Sequence, residues 1–369
     1  MPFLEKLKHW YLTVSVILFA FLLLLVATNV VLYFFSPHET PNPLSRYGLA
    51  TILRAYPGWN KDSVLALLKE TYQGRNYEHH PFAQFKNGPF QGRYLTISPP
   101  GFRVVKNQAA WPPRSSAYNI FVFGGSTAFG LGVTNEETIA SFLQEILNSR
   151  NGLRPVAVYN FGTPAYASRQ EATLLYDFLT SGVKPDVAVF IDGLNELPWG
   201  ETPALTTELN RYLQGKAFRD FLYLNIPMFS VAYSIVHRRA SEGHVAGDPG
   251  AATEPVIKRW IYNKRVIDAM AAAFGVRTLL VWQPVPFYNY DLRYHIFCQA
   301  RVDCKNDAGA ALYSRMKTVG ADGQLGDDYL WLADLQAGRM ENLYIDSVHY
   351  NPPFSREIAQ SLAARIHQN

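Results

Sequence analysis

Phe121-Val122-Phe123-Gly124-Gly125-Ser126-Thr127-Ala128-Phe129-Gly130 is the stretch on which the fold turns. Its apolar half reads as a buried strand, and its glycines read as a turn that presents the Ser126 hydroxyl. Far downstream stands Asp346-Ser347-Val348-His349, with a carboxylate and an imidazole three residues apart. A serine is a poor nucleophile at neutral pH unless a base takes its proton. A histidine is a better base when a carboxylate holds its tautomer. All three groups fall in loops after apolar elements, where catalytic groups concentrate.

Two intermediate segments repeat the pattern. Val156-Ala157-Val158-Tyr159-Asn160-Phe161-Gly162 reads as a second strand ending in glycine, and Asp186–Asp192 reads as a third, running into Gly193-Leu194-Asn195-Glu196. With these blocks in place the chain resembles the SGNH hydrolase superfamily, the GDSL esterases and lipases, in its membrane-anchored bacterial form. The matching positions are Ser126, Gly162, Asn195, and Asp346 with His349, in that order, between about Tyr118 and the C-terminus. Leu95–Arg103 is also similar to the segment that precedes the serine block in membrane-anchored members. Two positions depart from the pattern: Gly125 replaces the family's Asp, and Glu196 stands where Asp is usual. The resemblance implies a Ser126–His349–Asp346 triad. It also implies an oxyanion hole made by the backbone N–H groups of Ser126 and Gly162 and the side-chain amide of Asn195, with no metal or organic cofactor.

Taken singly, Gly-Gly-Ser-Thr is a common turn and Asp-x-x-His a common capped turn ahead of a helix. Four blocks in order, each after its own strand, favour catalysis. A phosphate-binding loop would need Lys-Ser or Lys-Thr after the last glycine, where Leu131-Gly132 stands. An α/β-hydrolase elbow would need Gly two residues after the serine, where Ala128 stands.

From Trp10 to Phe35 runs an apolar stretch of about 26 residues, interrupted by Thr13, Ser15, Thr28 and Asn29 and long enough to cross a bilayer with some tilt. Lys6 and Lys8 precede it, and no Lys or Arg follows before Arg46. The positive-inside bias then puts the N-terminus in the cytoplasm and the body outside. The exit Tyr33-Phe34-Phe35-Ser36-Pro37 offers no small-x-small cleavage site, which favours a retained anchor over a cleaved signal peptide. Cys298 and Cys304, the two cysteines of the chain, could pair as a short staple in an oxidising compartment; two unrelated thiols are the alternative. A zinc site is disfavoured, because no Cys-x-x-Cys or His cluster accompanies them. His79-His80 reads as surface. The formal net charge of +4 is scattered, which argues against nucleic acid as partner and leaves room for anionic headgroups.

The expected organisation is a cytoplasmic tip at 1–9, a transmembrane anchor at 10–35, a linker and membrane-proximal stem at 36–117, and a catalytic domain at 118–369 with an insertion at about 197–253. Near-continuous apolar strands alternating with helices predict an α/β domain of flavodoxin-like type. It would be a three-layer parallel sheet with helices on both faces and the site at the carboxyl ends of the strands. Predicted helices run from Asn60 to Tyr72, Glu136 to Asn148, Ser168 to Ser181, Glu254 to Phe274 and Ser355 to His367, with a further strand from Arg277 to Gln283. Leu197–Thr253 and Pro284–Asn342 interrupt the pattern. The first, directly after Asn195, could be a lid or substrate wall, or could simply cover a sheet edge. The functional expectation is an ester hydrolase of the bacterial inner membrane with its catalytic domain in the periplasm, deacylating an envelope glycan or lipid. The alternatives are an O-acyltransferase working with a membrane protein that delivers acyl groups, and a non-catalytic glycan-binding component.

Overall fold

The computed structural model describes residues 2–35, 43–74, 76–150, 152–196, 222, 226–229, 231, 253–298 and 304–366. They fall into two units, one formed by 1–40 with 206–246 and the other by 41–205 with 247–369. In the first unit, α1 (Pro2–Phe35) is a single helix of 34 residues. At 1.5 Å per residue it measures about 50 Å, more than the thickness of a bilayer's hydrocarbon core. Its span Phe3–Phe34 is apolar enough to cross a membrane, and its large side chains, Leu22 and Leu24 among them, are exposed.

The second unit begins with α2 (Pro43–Tyr47), α3 (Leu49–Ala55) and α4 (Lys61–Leu68). Asn60 caps α4, its Oδ1 accepting from Ser63 N at 2.8 Å. The helix predicted to run on to Tyr72 changes at Lys69 into a π-helical turn, Lys69–Gly74. Its buried side is Val64, Leu67 and Leu68. Two short antiparallel pairs follow, β1 (Tyr77–His80) with β2 (Gln84–Asn87), and β3 (Phe90–Gln91) with β4 (Thr96–Ile97). His80 is part of the fabric here, its Nε2 standing 3.0 Å from Asp177.

The main sheet has five parallel strands: β5 (Tyr118–Gly124), β6 (Val156–Asn160), β7 (Val187–Asp192), β8 (Arg277–Trp282) and β9 (Tyr329–Trp331). Their order across the sheet is β6-β5-β7-β8-β9. Counted within the sheet this is the 2-1-3-4-5 order of flavodoxin-like folds, whose switch point lies between β5 and β7. Side-chain alternation along β5 builds the two outer layers. Ile120 and Val122 join an aliphatic cluster with Leu143 of α6 (Ile139–Asn148) and Ile358 and Leu362 of α10 (Pro352–Arg365). Phe121 and Phe123 join an aromatic cluster on the other face. There they meet Leu175 of α7 (Ser168–Thr180), Trp260 of α8 (Thr253–Ala273) and Tyr313 of α9 (Asp307–Ala321). Each such fully buried large side chain contributes roughly 2–3 kcal/mol to stability.

The helix predicted from Glu136 starts at Ile139, because Thr138 caps it through Ser141 N. The helix predicted from Ser355 starts at Pro352, because Asn351 caps it and two prolines suit its first turn. The segment 284–342, expected as an interruption, supplies α9 and the edge strand β9. The expected insertion at about 197–253 lies outside the described residues except for 222, 226–229, 231 and 253, and so do residues 36–42 at the start of the expected linker and stem.

Candidate active site

β5 delivers the nucleophile. The strand ends at Gly124, whose φ of +149° suits glycine and whose Cα faces Ala128 and Ile191 too closely for a side chain. Ser126 then opens a single helical turn, α5 (Ser126–Phe129), which closes on Gly130 in the left-handed conformation. Thr127 anchors this turn, its hydroxyl donating to Gln283 Oε1 at 2.5 Å just beyond β8. Tyr350 reaches the same oxygen at 3.1 Å.

The structure brings Ser126, His349 and Asp346 together. His349 Nε2 stands 2.8 Å from Ser126 Oγ, and His349 Nδ1 stands 2.6 Å from Asp346 Oδ2. The carboxylate accepts from Nδ1–H, which leaves Nε2 with the lone pair that faces the serine. Asp346 Oδ1 accepts the N–H groups of Val348 at 2.9 Å and His349 at 2.8 Å. Asp-x-x-His is therefore a self-capped turn and a catalytic pair at once, and the two sequence readings coincide. Asp346 is held well below the usual carboxylate range. Burial alone would raise it, but the His349 ring, the Tyr72 hydroxyl and the Val348 N–H favour the anion more strongly. Asp346 and His349 are buried, while Ser126 keeps partial exposure.

The expected oxyanion donors divide. Ser126 N–H has no partner among the described residues. Asn195, in the turn after β7, lays its amide against the Gly125 backbone and donates one hydrogen to Tyr166 O at 2.7 Å. A primary amide keeps a second hydrogen to give. Gly162 differs from expectation: its N–H is already taken by Asn160 Oδ1 at 3.0 Å, in a side-chain turn two residues long. Its carbonyl is held in turn by Asn87 Nδ2 at 3.0 Å. Gly162 thus sits beside the nucleophile turn as a close-packed glycine with its N–H engaged.

Several residues around the site escaped sequence reading. Arg103, wholly buried, donates to Phe129 O at 3.0 Å, Gly130 O at 2.5 Å, Val133 O at 2.6 Å and Asn135 Oδ1 at 3.1 Å. Tyr72 donates to Asp346 Oδ2 at 2.5 Å. Behind Asn195, three buried carboxyl groups meet: Glu171, Asp192 and Glu196. Burial pushes all three upward; repulsion between neighbouring carboxyl groups adds to the rise of Glu171 and Asp192, whereas the Ser168 N–H and Arg259 work against it at Glu196. Asp192 also accepts from Trp260 Nε1 at 2.9 Å, and Glu196 accepts from Ser168 N at 2.8 Å. The signal in the sequence was the acidic pair bracketing Gly193-Leu194-Asn195 at the end of an apolar strand, where a charge is out of place unless partnered.

Cys298 and Cys304 are joined in a disulfide. His295 lies within ligand reach of both sulfurs, but a bonded pair is not a thiolate ligand set.

No protein-family model matches the chain, and neither does any curated protein. Among solved structures, it is similar to a member of the lipolytic G-D-S-L family from Veillonella parvula. The identity is 12%, with 66% of this chain and 94% of that chain covered and a TM-score of 0.34. A lipase/acylhydrolase from Enterococcus faecalis aligns at 14% identity over 67% of this chain and 93% of that one, with a TM-score of 0.36. A catalytic mutant of Axe2, an acetylxylan esterase from Geobacillus stearothermophilus, aligns at 12% identity over 69% and 97%, with a TM-score of 0.37. The chain's own features are a flavodoxin-order parallel sheet with Ser126 and Asn195 at its switch point and Asp346–His349 beside the serine, the arrangement that the resemblance read in its sequence implies.

Proposed function

We propose that the protein is a serine ester hydrolase. The observation that carries the reading is the continuous chain from Ser126 Oγ through His349 to Asp346, with contacts of 2.8 and 2.6 Å. His349 Nε2 takes the Ser126 proton as Oγ attacks the acyl carbonyl. The developing oxyanion is held by Ser126 N–H and the free amide hydrogen of Asn195. His349 then returns the proton to the departing alkoxide, leaving an acyl-serine. Water, deprotonated by the same nitrogen, attacks that ester, and the carboxylic acid leaves.

The substrate class we propose is an acylated, in the first instance O-acetylated, glycan or lipid of the cell envelope. The 34-residue apolar helix supports an enzyme held at a membrane. Lys6 and Lys8 ahead of that helix, and the Cys298–Cys304 disulfide, support an extracytoplasmic body.

The test is turnover of an activated acetyl ester by the full-length protein in detergent, with an organophosphonate used to trap the nucleophile. Label on Ser126 and loss of turnover in Ser126→Ala are expected. A Ser126→Ala variant that hydrolyses the ester at the parent rate would remove the assignment. Supplying envelope oligosaccharide and finding the acetyl group moved onto it, rather than to water, would replace hydrolysis by acyl transfer.

A further inference from the structure

Tyr72 lies outside the sheet and its crossovers, 274 residues before the carboxylate it touches. Its place is prepared on both sides. The π-helical turn that carries it is pinned by Glu70, whose carboxylate accepts the N–H groups of Arg93 at 3.0 Å, Tyr94 at 2.7 Å and Leu95 at 3.0 Å. Thr71, wholly buried, ties back to Leu67 O at 2.8 Å. An extra residue in a helical turn is costly and recurs at functional sites, where it re-aims a side chain. Here the re-aimed side chain is half-buried and its hydroxyl is directed onto the triad carboxylate.

We infer that Tyr72 is a positioning residue of the triad, occupying one acceptor site of Asp346 Oδ2 and so confining His349 Nδ1–H to the other. The inference rests on the serine-hydrolase reading and adds to it that the segment before the sheet belongs to the catalytic apparatus. Oδ2 takes both Tyr72 and His349, at 2.5 and 2.6 Å, while Oδ1 is filled by two backbone N–H groups. The Tyr72 ring also meets the His349 ring edge to face, with centroids 6.1 Å apart. Three other titratable groups face the carboxylate: Tyr47, Tyr56 and His295. Each has a different attachment. Tyr47 accepts from Ser347 N, Tyr56 donates to Gly132 O, and His295 stacks on Tyr344. Burial, with Asp346 close by, pushes the Tyr72 hydroxyl well above its ordinary range, so it remains a donor at every working pH.

A donor on Oδ2 draws charge away from the histidine. Removing it should let the carboxylate hold the imidazolium more strongly and the imidazole less accurately. Tyr72→Phe keeps the ring and loses the hydroxyl. It should lower kcat about tenfold, leave KM in place, and move the acid limb of kcat/KM upward by about half a pH unit. Tyr56→Phe removes a buried hydroxyl of the same cluster that hydrogen-bonds Gly132 O and not the carboxylate, and should leave the limb where it is. A Tyr72→Phe enzyme with the parent kcat and an unmoved limb would overturn the inference, as would equal loss in the two variants with neither limb displaced. Should Tyr72→Phe fail to accumulate, 2,3-difluorotyrosine at position 72 keeps the ring and strengthens the donor. The limb should then move downward, and an unmoved limb counts against the inference. Ser126→Ala run in parallel separates the two readings. Parent-level turnover there strikes the hydrolase itself, whereas an inactive Ser126→Ala beside a neutral Tyr72→Phe strikes only the role of Tyr72.

Discussion

Arg103 Nη1 donates to the carbonyl of Gly130 at 2.5 Å and so closes the turn that follows the nucleophile. The same guanidinium serves Phe129 O, Val133 O and Asn135 Oδ1, and no carboxylate pairs with it among the described residues. Burial pushes its pKa down to about 9, against the pull of Glu137 and Glu70, so it remains charged at neutral pH. A fork of donors is answering a ring of chain carbonyls, a geometry that lysine cannot copy. Arg103→Met should therefore cost about 3 kcal/mol in urea unfolding, and Arg103→Lys should recover only part of it. A loss under ~0.5 kcal/mol, within the range of ordinary surface changes, would show that the turn holds itself.

Asn195→Ala removes the side-chain donor beside Ser126. The rate should fall by about 10²–10³ with little change in KM, the loss typical of one oxyanion donor. Initial rates across substrate concentration separate the cases. Weaker binding with an unchanged kcat would make Asn195 a substrate contact instead.

The acid cluster behind Asn195 predicts a stability that depends on pH in an unusual direction. A carboxyl group whose folded pKa is raised binds more protons in the folded state than in the unfolded one. Its contribution is full below the ordinary carboxylate range and is lost as pH rises toward the folded value. Burial first, then the neighbouring Asp192, raise Glu171. Thermal stability should therefore decline from about pH 5 upward by on the order of 1–3 kcal/mol. Glu171→Gln keeps a neutral donor toward Asp192 and should flatten that decline. Parallel melting curves for parent and variant between pH 5 and 9 would refute the raised Glu171 carboxyl.

The strands at 118–124, 156–160, 187–192 and 277–282 were legible because each is an apolar run closed by glycine or a polar residue. Of the triad, Ser126 was legible because it stands at the end of the first of those runs, and Asp346 with His349 because their three-residue spacing precedes the last helix. β9 was not, since three half-buried residues at a sheet edge leave no run to read. Tyr72, Asn87 and Arg103 were hidden for another reason. Their partners lie far off in sequence; Asn87 and Arg103 stand in a stretch rich in Gly, Pro and aromatics without periodicity, and Tyr72 is re-aimed by a π-helical turn that no helical spacing foretells. The pairing of Gly162 N–H was within reach: Asn160-Phe161-Gly162 has an acceptor side chain two residues before the glycine, which is how such turns close.

Gly125, where the family pattern has Asp, links the nucleophile turn to the oxyanion donor. Its φ of −81° suits any residue, so its backbone does not demand glycine. Its surroundings do: a Cβ built there would collide with Asn195 Nδ2. That nitrogen is the end of a side chain, so Gly125→Ala should be accommodated by a swing of the amide away from Tyr166 O, with the fold intact. The expected result is a kcat lowered by about 10²-fold, close to that of Asn195→Ala. The two changes share one donor, so the double variant should be little worse than either single one. Multiplicative losses in the double variant, or parent-level activity in Gly125→Ala, would show that the amide does not need the space the glycine leaves.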